Sequence, residues 1–202
     1  MDTRKRRLIC IEGFDRTGKD TLLKRACIDW CRDMIMYDQP QVEDTGFDYR
    51  DSEAFSRYLK KHFEEVVSDL KDLLGKPRSV MMTRFLVSDN TYSEMFGREH
   101  LLENEVKDKK LLESGIELKT FLLLWKNYDE YLKRVKASNS RVEYTEEEFL
   151  KVQKLMADEA EKLGGRIMRI THETTKDEIF TELGDYIDKK VVIKNSRKWR
   201  AS

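Results

Sequence analysis

An α/β fold, a doubly wound sheet of five parallel strands flanked by helices, is predicted by three features of the sequence. Short apolar runs alternate with longer stretches of helical period. The chain has 202 residues, 39% of them hydrophobic, enough for one substantial core and short for two. Helix stop signals, Gly75-Lys76-Pro77 and Gly164-Gly165, separate a helical pattern from the apolar run behind it. The expected strands are 8–11, 34–37, 80–83, 119–124 and 166–170. The expected helices are 19–33, 52–74, much of 90–112, 128–135, 145–163 and 175–187. Two prolines, nine glycines and no internal repeat leave one domain, residues 1–202, without a flexible linker.

Composition narrows the function. Lys and Arg total 39 and so do Asp and Glu, so no global pull toward nucleic acid or a membrane surface can be argued. The basic stretch Met1–Arg7 is followed by an apolar run that stops at Glu12, too short for a signal peptide or a membrane span. A cytoplasmic location is expected, with no membrane partner. Three cysteines, an odd number, argue against a disulfide framework and for a reducing compartment. Cys27 and Cys31 are four residues apart with no histidine or cysteine cluster nearby, and read as buried or half-buried thiols rather than zinc ligands. The basic tail 189–202 has one aromatic, Trp199, and reads as a loosely docked terminus rather than a nucleic-acid contact.

The first apolar run passes directly into Glu12-Gly13-Phe14-Asp15-Arg16-Thr17-Gly18-Lys19-Asp20-Thr21. Gly13 to Lys19 has the G-x-x-x-x-G-K spacing of a Walker A loop between a strand and a helix. Glycines let backbone amides curl around phosphate oxygens, the following helix adds its positive end, and Lys19 reaches the outer phosphates. ATP with Mg²⁺ is the expected cofactor pair.

These residues resemble the thymidylate kinase family of P-loop kinases, whose loop reads E-G-x-D-x-x-G-K-[ST]-T. The resemblance implies a nucleoside monophosphate kinase fold with a lid, here about residues 136–146. It gives Asp15 a role at the sugar and phosphate end of the acceptor nucleotide and Arg16 a role on the transferred phosphate. Thr83-Arg84-Phe85-Leu86-Val87-Ser88-Asp89-Asn90-Thr91-Tyr92 is similar to the family's D-R-[YH]-x-x-S-x-x-A-[YF], with Arg84, Ser88 and Tyr92 in register. There the arginine holds phosphate and the aromatic lines the acceptor pocket. Lys133-Arg134, then Arg141-Val142-Glu143, resemble the basic pair and lid that bring Arg134 and Arg141 to the donor. The turn after the last strand corresponds to the segment that contacts adenine. A two-fold homodimer through helix 52–74 or the 90–112 stretch is also implied.

Two positions depart from the pattern. Asp20 stands where the family has the Mg²⁺-touching Ser or Thr, and Thr83 stands where it has an acid. An exchange is expected, with the carboxylate on the loop and the hydroxyl on the third strand, so that Asp20 and Thr83 together serve the metal. Asp20 also reads as a helix N-terminal acid stabilised by the dipole, with Thr21 supplying a nucleotide contact.

The acceptor side is less defined. Arg50, with Arg57 behind it, is the candidate for the monophosphate, and a solvated arginine reads equally well there. Phe55, Tyr58 and Phe63 stand where a base-stacking aromatic is expected, although that spacing also describes core. Lys19, Arg16, Mg²⁺ and the loop amides would clamp the donor; Arg84, Asp15 and Arg50 would hold the acceptor. An acceptor monophosphate needs no strong base. The expected reaction is transfer of the ATP γ-phosphate to a deoxynucleoside monophosphate, dTMP or a related pyrimidine. A deoxynucleoside kinase with Asp38 as base is one alternative. A nucleotide-binding module that has lost catalysis is another, which Asp20 and Thr83 would support. His62, His100 and His172 read as incidental, with only His172 near the expected adenine.

Overall fold

The computed structural model describes residues 6–38, 52–76, 78–112, 115–139 and 144–189. Five strands, β1 (Arg7–Gly13), β2 (Met34–Tyr37), β3 (Ser79–Thr83), β4 (Glu117–Trp125) and β5 (Arg166–Ile170), form one parallel sheet in the order β2-β3-β1-β4-β5. All five expected strands are present. The helices among the described residues are α1 (Lys19–Trp30), α2 (Ser52–Leu74), α3 (Leu86–Phe96), α4 (Leu101–Asp108), α5 (Tyr128–Ala137), α6 (Glu146–Lys162) and α7 (Lys176–Tyr186).

Side-chain alternation along the central strands divides the core. Ile9 and Ile11 of β1 join Met81 of β3 on one face, packed with Leu22, Trp30, Phe149, Met156 and Phe180. Leu8 and Cys10 join Val80 and Met82 on the other, beneath Phe63, Val67, Leu70 and Leu102. With both faces covered, β1 and β4 read as continuous apolar runs rather than alternating ones. The Trp30 indole stacks on Phe180 with centroids 4.5 Å apart, and the Arg25 guanidinium lies 4.2 Å from the centre of the same Phe180 ring.

Several helix boundaries correct the sequence reading, among them the end of α1 at Trp30 rather than 33. The expected single helix over 90–112 is two helices, because Gly97 turns left-handed at φ 62° and ends α3. Arg98 N then donates to Ser93 O at 2.8 Å, which uses up one of the helix's terminal carbonyls. The start of α3 also lies earlier than expected, at Leu86, where Glu12 at the end of β1 accepts from Phe85 N and Val87 N. α5 continues to Ala137, inside the expected lid span 136–146, and α6 opens at Glu146 on a Thr145–Glu148 capping box. Residues 140–143, and with them Arg141, lie outside the described residues, as do Arg50 and most of the tail 189–202. Lys189 is described, and its Nζ pairs with Asp33 at 2.7 Å.

β1 lies centrally, with strands reached by oppositely directed crossovers on its two sides, so the loops at the carboxyl ends of the strands converge there. Gly13, Arg84, Trp125 and Thr171 all stand at or just beyond that edge. Among the described residues no helix is long and apolar enough to cross a membrane.

Candidate functional site

The segment between β1 and α1 is braced from three directions. Phe14 N donates to Leu123 O of β4 at 3.0 Å, and the Trp125 indole N–H donates to Asp15 O at 3.0 Å. The Thr17 hydroxyl closes the loop on itself by donating to Phe14 O at 2.8 Å. Gly13 has φ 151°, and a Cβ there would lie 2.4 Å from Leu123 O, so the backbones can approach only because no side chain intervenes. Gly18, at φ 88°, is the N-cap of α1 and supplies no side-chain cap, whereas α5, α6 and α7 are each capped by Asn127, Thr145 or Thr175. No N-cap side chain therefore competes for the first amides of α1, at the helix end whose dipole favours an anion.

Lys19 is buried, 4% exposed, and its ammonium donates to Gly13 O and Phe14 O at 2.8 and 2.9 Å. Burial pulls its pKa down to about 8, with Arg84 acting in the same direction and Asp15, Asp20 and Glu12 opposing.

Glu12, fully buried at the end of β1, controls the neighbouring corner. Its carboxylate accepts from Phe85 N at 2.7 Å, Val87 N at 3.2 Å and the Ser88 hydroxyl at 2.5 Å. It thus caps α3 from another strand, which is why that helix begins at Leu86. Burial raises the Glu12 pKa, while Ser88 and the amides of Phe85 and Val87 hold it back. The capped corner contains Arg84 at φ 56°, a left-handed conformation that costs a non-glycine residue about 1 kcal/mol. Arg84 N donating to Ile11 O at 3.2 Å secures it further.

Arg16, Gly18, Lys19, Asp20, Thr21, Arg84, Arg134 and Ser138 line one open cavity. Four cations, from the loop, the start of α1, the corner after β3 and α5, therefore converge, and Asp20 is the exposed acid among them. Arg16, like Arg84, has a positive φ, 63°. An adjoining cavity runs from Arg16, Thr17 and Thr21 past Arg25 and Trp125 to Thr171, His172 and Thr174 after β5. Arg134 borders both.

The other expected residues fall into separate positions. The Asp15 carboxylate accepts from the Tyr144 hydroxyl at 3.0 Å, and that hydroxyl lies 3.4 Å from the Tyr92 hydroxyl. Burial, then Tyr92 and Asp15, push the Tyr144 phenol well above its usual range, so it stays protonated. The Ser88 hydroxyl is engaged by Glu12. Phe55 is 4% exposed within the α2 core, with the Arg98 guanidinium 5.1 Å from its ring centre. Arg57 is exposed on α2, and Thr83 is half-buried at the end of β3, paired in register with Ile11. Cys31 is exposed rather than buried.

Sequence reasoning missed Glu12, Tyr144, Glu130 and Ser138. Glu12 was visible as a charge closing an apolar run, a position where a carboxylate must find partners. His172 is more than incidental: Glu130 accepts from its backbone N–H at 2.8 Å and meets its Nδ1 at 2.5 Å.

The order of the sheet, the loop after β1 and the cations around it define a thymidylate-kinase-like P-loop kinase fold. Thymidylate kinase from Candida albicans superposes with a TM-score of 0.62 at 21% identity, over 91% of this chain and 92% of that one. The Bacillus subtilis YorR protein, solved in complex with phosphorylated GDP, gives 0.58 at 16% identity over 90% and 95%. Deoxyadenosine kinase from M. mycoides gives 0.56 at 12% identity over 90% and 98%. No protein-family model and no curated protein matches the sequence.

Glu12→Ala strands two amides and a hydroxyl, and is expected to lower the unfolding free energy by about 3 kcal/mol in urea titration. Glu12→Gln can keep all three contacts without a buried charge, and should cost less than about 1 kcal/mol in the same titration.

Lys19 gives a pH signature. Its folded pKa lies below the unfolded value, so the stability cost of its burial is full below about pH 8 and fades as pH rises toward the unfolded value. Anion affinity runs the other way. Binding of inorganic tripolyphosphate should weaken about tenfold between pH 7 and pH 9, and Lys19→Met should remove that step from calorimetric titrations.

Proposed function

We propose that the protein transfers the γ-phosphoryl group of ATP to the phosphate of a deoxynucleoside monophosphate, dTMP or a related pyrimidine, giving the diphosphate. The observation that carries this reading is the meeting of Arg16, Lys19, Arg84 and Arg134 around one cavity beside the N-terminus of α1. Phosphoryl transfer asks a protein mainly to align two oxygens and neutralise spread negative charge. Four cations at the mouth of a helix meet that demand. The loop amides and Lys19 hold the outer donor phosphates, while the adjoining cavity along Thr21, Arg25 and His172 takes the nucleoside. Arg84 reaches the acceptor phosphate, and Arg16 and Arg134 neutralise the group in flight. Arg50, Arg57 and Arg141 are further phosphate candidates.

On the acceptor side, Asp15 and Tyr92 receive the sugar, with Tyr144 holding the Asp15 carboxylate. Asp20 fits a magnesium ion: its carboxylate is exposed on the cavity that the phosphates would fill, and Mg²⁺ is commonly bound through one or two carboxylates plus phosphate oxygens. A divalent ion held by Asp20 would supply positive charge against the phosphates. Thr83 is the proposed partner hydroxyl. A second reading, a deoxynucleoside kinase, draws on Asp38, which follows β2 directly and is exposed. The likeness to deoxyadenosine kinase keeps that reading in play.

A coupled assay with ATP and Mg²⁺ over nucleosides and deoxynucleoside monophosphates tests both readings. Turnover of monophosphates, fastest with a pyrimidine, is expected. Turnover confined to nucleosides would transfer the chemistry to Asp38, and binding of ATP with no turnover would leave a nucleotide-binding module.

Asp20→Ser should raise the Mg²⁺ concentration needed for half-maximal rate about tenfold, and adding Thr83→Asp should recover part of it. Strictly additive losses in the double variant, read from Mg²⁺ titrations of the rate, would remove Thr83 from the metal site.

A further inference from the structure

The turn that follows β5 closes one end of the elongated cavity. It is braced internally, with Thr171 N donating to the Thr174 hydroxyl at 2.8 Å and Thr174 N to Thr171 O at 3.2 Å. It is held from outside by one residue of α5. Glu130 Oε2 accepts from His172 N at 2.8 Å and meets His172 Nδ1 at 2.5 Å. Its other oxygen accepts from the Lys133 ammonium at 2.7 Å. Lys133 and both His172 donors keep the Glu130 carboxyl at a pKa of about 2, so it remains ionised.

The position of Glu130 on its helix gives these contacts their consequence. Arg134 lies four residues further along α5, one helical turn, and borders both cavities. Ser138, the C-cap of α5 and another turn on, borders the phosphate cavity. A shift of α5 would therefore move Arg134 and Ser138 together, and a shift of the His172 turn would change the far wall. One carboxylate joins the two. Lys126 N donating to Ile170 O at 2.8 Å fastens the neighbouring chain but touches neither His172 nor Arg134.

We propose that Glu130 is a positioning residue for the donor nucleotide, tying the wall beside the nucleoside to the helix that carries Arg134 at the phosphates. The proposal rests on the donor occupying these adjoining cavities. With Glu130 ionised and its acceptor sites taken by His172 and Lys133, it acts through them and need not touch the nucleotide. His172 conveys its influence to the nucleoside, Arg134 to the phosphates.

The test separates the two ends with two probes, Mg-ATP and inorganic tripolyphosphate, titrated calorimetrically into the intact protein. Wild-type protein is expected to bind both; binding of neither would overturn the donor reading and this proposal with it, whereas wild-type binding that the variants leave unchanged would overturn the proposal alone. Glu130→Ala should weaken ATP about tenfold and tripolyphosphate by a smaller factor. His172→Ala should weaken ATP alone. The decisive variant is Glu130→Ala/Arg134→Ala: its loss of tripolyphosphate affinity should be no larger than that of Arg134→Ala alone, because Glu130 works there through Arg134. Fully additive losses would overturn the proposal. In steady-state assays Glu130→Ala should raise the KM for ATP and leave the KM for the acceptor unchanged, whereas a general loosening of the fold would raise both. Glu130→Gln, which keeps an acceptor for His172 N, should recover part of the ATP affinity; if it matches Glu130→Ala while thermal unfolding is unchanged, the proposal fails.

Discussion

At the end of the central strand a carboxylate with no exposed surface receives two backbone amides and a hydroxyl from the next strand's corner. A buried charge of this kind is tolerated only where its lone pairs are filled, so the corner between β3 and α3 has little freedom while Glu12 is ionised. The phosphate loop begins at the next residue, Gly13. Loop and corner therefore share an anchor. Arg84 sits in that corner in a left-handed conformation, which persists only because its neighbours on both sides are pinned. Glu12 thereby ties the corner to the same strand end from which the loop starts.

The opposite charge receives the complementary treatment. Lys19 is withdrawn from water and meets carbonyls, as Glu12 meets amides. Each is satisfied by the backbone of the same region before any ligand arrives, so little reorganisation is needed when an anion binds. Their mutual field is mild, since desolvation dominates the shift of both. An incoming polyphosphate would push the Lys19 pKa back up, against the effect of burial. The strain at Arg16 and Arg84 and the low pKa of Lys19 are three costs located at one cavity, as expected where binding, rather than stability, shapes the local structure.

The sheet was legible because its three inner strands contain unbroken apolar runs covered on both faces, at 8–11, 80–82 and 121–125, and because turns that follow α2 and α6 contain glycine. The phosphate loop was legible because its demands are local: glycine at fixed spacing and a lysine at the helix start. The start of α3 was not, since its cap is Glu12, more than seventy positions upstream. Gly97 was visible yet read through, because the helical pattern resumes at Leu101. Tyr144 and Glu130 act through partners 129 and 42 positions away, and no periodicity records such contacts. Phe55 shows the converse limit, an aromatic at helical spacing that the structure buries as core.

The two ends of the site are held by different physics, and the difference bears on how a reaction would be arranged. The phosphate end is fixed by backbone: amides, carbonyls and a helix terminus whose positions follow from the sheet. The end beyond Asp15 is fixed by side chains in series, Tyr92 to Tyr144 to Asp15, with the Tyr128 hydroxyl donating to Tyr144 O at 2.8 Å. Backbone constraint suits a triphosphate, which offers the same oxygens whatever nucleoside it carries. Side-chain constraint suits the group that must be discriminated, because substituting one residue there changes shape and hydrogen bonding without disturbing the sheet. Since the Tyr144 phenol stays protonated, Asp15 keeps a fixed donor on one oxygen, so the direction of its carboxylate is set by the fold. Under the proposed function, specificity would fall to Asp15, Tyr92 and Tyr144, and chemistry to the loop and corner that Glu12 joins.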